Sequence, residues 1–281
     1  MTLRDKTFVI TGANTGIGRA NVLALAEHGL GRLIIAVRSV ERAAPVVEEL
    51  RAKNPEGKVE LVAVDLGDLA SVRKAADEIL AKDVPIDALI NNAGLAGLRG
   101  QTKDGFELAF GTNHVGHYLW TEKLLPLVKR APQGRIVVVA SRAHYRAKGI
   151  DWEAIRRPSA SVSAFPEYTV SKLANVLHAT ELARRLAGTS VTTYSLHPGA
   201  VASDIWKRRM GVFAVLLRPF LITNERGAKT QLRCETAPEL ARETGLYYDN
   251  ERPKQPSARA LDVVLQDELR ARSDEYVKAF V

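Results

Sequence analysis

The sequence predicts a single-domain α/β fold over residues 1–281: a doubly wound parallel sheet with helices on both faces. Two observations predict it. Short runs of Val, Ile and Leu alternate with longer segments of helical periodicity, and the runs are continuously apolar, as in strands covered on both faces. The 281 residues, 46% hydrophobic and 26% charged, can bury one full core, and they contain no linker or internal repeat.

The first strand is expected at 6–11 and runs into Thr11-Gly12-Ala13-Asn14-Thr15-Gly16-Ile17-Gly18, with a helix over 16–28. Strand, glycine-rich turn and helix together form the Rossmann-type setting of a dinucleotide-phosphate site. Gly12 permits the tight turn, Gly16 lets the backbone approach a pyrophosphate, and Gly18 allows close helix–strand packing. The spacing is Gly-x-x-x-Gly-x-Gly, not the commoner Gly-x-Gly-x-x-Gly. A second strand at 32–37 ends in Val37-Arg38-Ser39. An acidic residue there would bind the ribose hydroxyl of NAD and repel a 2′-phosphate. Arg38 can instead form charge-assisted bonds to that phosphate, and Ser39 can add a hydroxyl donor. NADP(H) is therefore expected in preference to NAD(H).

A helix over 40–53 leads to a third strand at 58–64, then Asp65, Leu66 and a helix at 69–81 for which Asp68 suits the N-cap. The fourth strand, 87–90, precedes Asn91-Asn92-Ala93-Gly94. Asn113 lies between Gly111 and Gly116 in an apolar helix over 104–129, where asparagine is unfavourable. A fifth strand at 134–140 delivers Ser141, and the segment 142–166, with Pro158 and Pro166, resists assignment. The helix over 167–187 carries Tyr168 and Lys172; of seven tyrosines only Tyr168 has a lysine four residues on. Residues at that spacing share a helix face. A fixed ammonium beside a phenol favours phenolate and brings a group that titrates near pH ~10 towards neutrality, fit to give or take a proton. A sixth strand at 190–196 runs to His197-Pro198-Gly199, and 203–223, with Pro219, again resists assignment. A helix at 224–236, a seventh strand at 245–248 and a helix at 257–272 complete the order. Both unassigned segments are expected over the carboxyl ends of the strands, where ligands sit in such sheets.

Taken in order, the glycine run, Asn91-Asn92-Ala93-Gly94, Asn113, Ser141, Tyr168 with Lys172, and His197-Pro198-Gly199 resemble the short-chain dehydrogenase/reductase family, from about Lys6 to about Asp249. The pieces "TGANTGIG" and "HPGAV" and the long stretch between Ser141 and Tyr168 look most like its retinol dehydrogenase and WW-domain oxidoreductase branch. The resemblance implies an oxidoreductase that moves a hydride between NADP(H) and a carbonyl or alcohol. Tyr168 would be the general acid or base, and Lys172 would lower its pKa and hold the nicotinamide ribose. Ser141 would hydrogen-bond the reacting oxygen, and Asn113 would support a water joining Lys172 to solvent. The cofactor-binding set implied is Gly12, Asn14, Thr15, Gly16, Ile17, Gly18, Arg38, Ser39, Asp65, Leu66, Asn92, Ala93, Gly94, Tyr168, Lys172, Pro198, Gly199, Val201 and Ser203. Two other readings are a non-catalytic dinucleotide sensor or scaffold and an NAD-retaining lyase or epimerase. The complete Ser-Tyr-Lys-Asn set argues against the first, and Arg38 with the modest chain length against the second. By analogy with relatives, a homodimer or homotetramer would form through 104–129 and 167–187.

Lys207-Arg208-Arg209 abuts the apolar stretch Met210 to Leu217, which suits a substrate lid over 203–223, with weak peripheral membrane contact through 207–222 as a second use. An apolar lid implies a lipophilic substrate, because closure would leave the hydroxyls of a polar one unpaired. The net charge of +8 comes from scattered residues without a recognition motif, so no nucleic-acid partner is expected. His114 and His117 have no cysteine or acidic companions, which points to packing or hydrogen bonding and to no metal site. The single cysteine, Cys234, excludes an intrachain disulfide framework and fits a reducing compartment. No apolar run reaches the ~20 residues of a membrane span, and the early first strand leaves no room for a signal peptide. A cytoplasmic location, with or without peripheral membrane contact, is the expectation.

Overall fold

The computed structural model describes residues 3–199 and 222–281. Its strands are β1 (Thr7–Thr11), β2 (Arg32–Val37), β3 (Lys58–Ala63), β4 (Ala88–Asn91), β5 (Gly134–Val139), β6 (Val191–His197), β7 (Leu246–Asp249) and β8 (Arg252–Pro253). They form one sheet in the order β3-β2-β1-β4-β5-β6-β7-β8, parallel throughout except for the last pair. The crossing from β3 to β4 over β1 is the doubly wound arrangement, with its switch point between β1 and β4. Seven strands lie within one residue of the expected positions. The eighth was not expected. It has two residues, one of them a proline that cannot donate to a ladder, and it returns through Asn250 and Glu251 at φ 52° and 64°, the tight primed turn of hairpins.

The helices are α1 (Gly16–Glu27), α2 (Val40–Lys53), α3 (Leu69–Leu80), α4 (Leu108–Phe110), α5 (Gly116–Lys129), α6 (Phe165–Arg185), α7 (Asn224–Thr236) and α8 (Val263–Val277). Alternation along the strands divides the core. Phe8 and Ile10 face Val22, Leu25 and Cys234, whereas Val9 faces Leu89, Leu119 and Leu177 on the opposite side. Each such fully buried Leu or Ile stabilises the fold by about 1.5–3 kcal/mol.

Two expected helices differ from the structure. The helix placed over 104–129 starts only at Leu108 and is broken by a π-turn at Gly111–Val115, where the Gly116 N–H bonds the Gly111 carbonyl. The residues before it form a turn closed by a bridge between Gln101 and Glu107. The helix placed over 257–272 is a 3₁₀ turn at Ala258–Leu261 followed by α8, because Ser257 caps the one and Asp262 the other. Helix α8 lies on α5 and α6: Arg184 Nε donates to Gln266 Oε1 at 3.1 Å, and Tyr118 Oη to Asp274 Oδ1 at 2.6 Å. Cys234 is buried and free. Among the described residues no helix is long and apolar enough to cross a membrane.

Candidate active site

The glycine turn is shaped by close approach at one glycine and open space at another. Gly12, at φ 70°, packs so tightly that a Cβ there would lie 2.8 Å from Ala93 Cβ. Gly16, at φ 61°, has nothing within 4 Å of the equivalent position. Thr15 precedes α1 without a side-chain cap bond, so the first-turn N–H groups keep no side-chain partner from it. Open space before uncapped N–H groups at a helix N-terminus suits a pyrophosphate. Asn14 and Ile17 are half-buried beside it, and Gly18 is buried against the Gly12 carbonyl and Asn92.

The 91–94 segment is bonded to this turn. Thr11 Oγ1 accepts the Asn92 and Ala93 N–H groups, both at 3.0 Å, and Asn92 Nδ2 donates to the carbonyls of Thr11 and Gly12 at 2.8 and 3.0 Å. Asn91 instead ties β4 to α5 through Thr121 Oγ1 at 2.8 Å, a structural role.

At the ends of β2 and β3 the expected residues separate. Arg38 is exposed and has no bonded partner among the described residues. The Ser39 hydroxyl was expected as a phosphate donor. It donates instead to Glu41 Oε2 at 2.8 Å and caps α2 by accepting from the Arg42 N–H. Asp65 is exposed and orders its own turn by accepting the Gly67 N–H at 2.9 Å, and Asp68 caps α3. Leu66 does not display its side chain. It is in the core, and its carbonyl lies where any Cβ on Gly116 would collide at 2.3 Å.

The catalytic candidates converge at the ends of β4 and β5. Ser141 is the second residue after β5, and its hydroxyl accepts the Ala143 N–H at 3.1 Å and hydrogen-bonds Tyr168. Arg142 fixes this corner through two bonds to the buried Asp249, at 2.7 and 2.9 Å. Tyr168 sits in the first turn of α6, which begins after Ala164 in a left-handed conformation at φ 49°. One turn on, Lys172 Nζ donates to the Val139 carbonyl at 2.8 Å and stands 5.8 Å from the Tyr168 ring centre. Asn113 is fully buried: its Nδ2 donates to the Leu95 carbonyl and to Ser171 Oγ, both at 3.0 Å, and its Oδ1 accepts the Leu95 N–H at 2.9 Å. Gly94 closes the group, since a Cβ on it would lie 3.2 Å from Asn113 Oδ1 and 3.5 Å from Lys172 Nζ.

The electrostatics correct one expectation. Burial pushes the Lys172 amine down to about 7, and burial raises the Tyr168 phenol, opposed only by its bond to Ser141. Among the described residues Lys172 bonds a carbonyl and no carboxylate, so none of them holds its charge against desolvation. The fixed ammonium read from the spacing is thus not held charged by the described residues. The Asn113 main-chain carbonyl accepts His117 Nδ1 at 3.2 Å.

Sequence reasoning passed over Asn175, which shares the Val139 carbonyl with Lys172 at 3.2 Å, and the Arg142–Asp249 pair. Asn175 is three residues beyond Lys172, so extending the helical spacing by one turn finds it. Arg142 and Asp249 are 107 residues apart, and no local signal joins them. Pro198 and Gly199 follow β6, with Gly199 at φ 97°. Val201, Ser203, the lid up to residue 221 and all of the membrane-contact segment but Ile222 lie outside the described residues.

Comparison with known proteins agrees with this geometry. The family model "short chain dehydrogenase" matches residues 6–154. The chain is 40% identical over 254 residues to human dehydrogenase/reductase SDR family member 13, covering 88% of this chain and 67% of that protein. It is 40% identical over 259 residues to mouse retinol dehydrogenase 12, covering 91% and 81%. A crystal structure of an uncharacterized protein from Mycobacterium paratuberculosis has a TM-score of 0.80 at 31% identity, covering 99% of this chain and 95% of that one. A short chain dehydrogenase from Salmonella enterica has the same fold, with a TM-score of 0.72 at 21% identity over 89% and 97% of the two chains.

Proposed function

The chain belongs to the short-chain dehydrogenase/reductase family, and we propose that it transfers a hydride between NADP(H) and a lipophilic carbonyl or alcohol. One observation carries this: Ser141, Tyr168 and Lys172 meet at the carboxyl edge of the sheet, and the segment Asn92 to Gly94 joins them to the glycine turn before α1.

Residues of the chain fit the dinucleotide. The open approach at Gly16 and the first turn of α1 would take the pyrophosphate, and Asp65 stands exposed for the adenosine. Arg38, a cation without a described partner at the end of β2, favours a 2′-phosphate over a hydroxyl. NADP(H) bound there supplies or accepts the hydride. The protein's own work is with the proton and the oxygen. Tyr168 gives its phenolic proton to the carbonyl oxygen in reduction and takes it back in oxidation, and Ser141 donates to the same oxygen as its charge grows. Lys172, poised near neutrality, passes protons without a large barrier in either direction and favours the phenolate when charged.

Two features support a lipophilic substrate. Leu98 and Val162 are exposed on segments that meet where Ser159 Oγ accepts the Gly100 N–H at 3.1 Å, and Phe165 lies 5.9 Å from the Tyr168 ring. Several relatives also carry the name retinol dehydrogenase. The test is a panel of long-chain aldehydes, retinoids, steroids and short polar ketones with NADPH and with NADH. The expected result is turnover of the apolar members with NADPH. Binding of dinucleotide with no turnover of any member, or preferential use of NADH, overturns the reading.

A further inference from the structure

His117 is buried and lies on α5, one turn beyond Asn113, and the proposed chemistry gives it no task. Both of its ring nitrogens are engaged: Nε2 lies 2.8 Å from Thr11 Oγ1 and Nδ1 lies 3.2 Å from the Asn113 carbonyl. The hydrogen-bond inventory fixes which nitrogen carries the proton. Thr11 Oγ1 already accepts the Asn92 and Ala93 N–H groups, so both of its lone pairs are filled and its own hydrogen must be donated. The acceptors in reach are His117 Nε2 at 2.8 Å and the Ile90 carbonyl at 3.5 Å, and the shorter contact wins. Nε2 is then an acceptor and the proton sits on Nδ1. That nitrogen faces a carbonyl, which can only accept. The two ends require the same tautomer.

Burial keeps the ring neutral, with its pKa lowered to about 4, and the nearby Lys172 pushes the same way. His114 and His178, whose charged forms His117 disfavours, are themselves held neutral by burial, so among the described residues only the Asn113 carbonyl favours the charged form of the ring. The ring joins two parts of the site that no backbone ladder joins. On one side is Thr11, which holds the 92–93 backbone to the glycine turn. On the other is the π-turn carrying Asn113, whose amide holds Leu95 and Ser171, the neighbour of Lys172. The Asn113 carbonyl belongs to the π-turn Gly111–Val115, and the ring bonds it from one turn further on.

We propose that His117, neutral and protonated on Nδ1, is a positioning residue that locks the cofactor turn at Thr11 to the π-turn at Asn113. Its kinetic consequences rest on the function proposed above; its tautomer and its coupling to Thr11 do not.

The test has three readings. In ¹⁵N-histidine-labelled protein, the resonances assigned to His117 by their shift in Thr11→Val should show a protonated Nδ1 and a bare Nε2; a protonated Nε2 overturns the proposal. In thermal unfolding, the Thr11→Val, His117→Leu double variant should lose less than the sum of the two single variants, since each removes the same Thr11–His117 bond; full additivity overturns it. In kinetics, His117→Leu should lower kcat with NADPH by about tenfold to a hundredfold with little change in the KM of the carbonyl, as for a misplaced catalytic group. His117→Gln, whose carbonyl can still accept from Thr11, should recover part of that loss; no recovery, with the loss in KM instead, overturns it. If the wild-type protein turns over nothing with NADPH, the functional reading fails while the first two readings still decide the role of His117.

Discussion

Asn113 is fully buried, with its amide bonded on both atoms to Leu95 and again to Ser171, whereas Arg38, at the other end of the site, is exposed and bonded to no described residue. The difference separates two kinds of work. Around Asn113 the polar groups are saturated and dry, so geometry is set before any ligand arrives, and removing one partner orphans others at about 1–3 kcal/mol each. Around Arg38 the groups are wet and loosely held, so a change there costs the fold little and alters which dinucleotide is taken.

Substitutions at the two ends sharpen or break this contrast. The largest effect should come from Asn113→Leu, which leaves the Leu95 N–H and carbonyl and the Ser171 hydroxyl without their partner. A loss on the order of 3–5 kcal/mol in chemical denaturation is expected; a loss below about 1 kcal/mol would mean that water replaces the amide and the buried end is not preorganised. Next is pH. Lys172 titrates near 7 in the folded cofactor-free protein and at 10.5 in its ordinary state, so between these the unfolded chain binds more protons. Stability should therefore rise from pH 7 towards 10.5 and be lost as pH falls back through about 7. Lys172→Met should remove that slope when both proteins are melted across the range.

At the exposed end, Arg38→Ala should weaken NADPH binding by about tenfold to a hundredfold, the worth of a charge-assisted bond, and leave NADH binding and the melting temperature unchanged. Equal weakening of both dinucleotides would place Arg38 elsewhere in recognition. The smallest effect is expected from Ser39→Ala, which removes the α2 cap at about 1 kcal/mol without changing the preference for NADPH. A change in preference would show that the hydroxyl leaves Glu41 for the phosphate.

The same contrast governs what the sequence made legible. Seven strands and the glycine turn were readable because apolar runs and glycine spacing are local signals. Tyr168 and Lys172 were readable because helical spacing places them on one face. The charge state of Lys172 was not, because it depends on burial under segments far away in sequence. Nor was the π-turn: Gly111 and Gly116 flank it, but the extra residue is held by Asn113 bonding across to Leu95, a tertiary contact. Strand β8 escaped because two residues carry no periodicity. The cap that Ser39 gives α2 escaped because an adjacent arginine drew the reading towards a phosphate.

The most direct test of the account is a rapid-mixing, single-turnover measurement of NADPH oxidation by a long-chain aldehyde, comparing the wild-type protein with Tyr168→Phe. The account predicts a rate about 10²–10⁴-fold lower in the variant, with NADPH bound as tightly as before, because the phenol moves the proton and the turn at Gly12 to Gly18 holds the dinucleotide. Equal rates in the two proteins would contradict it.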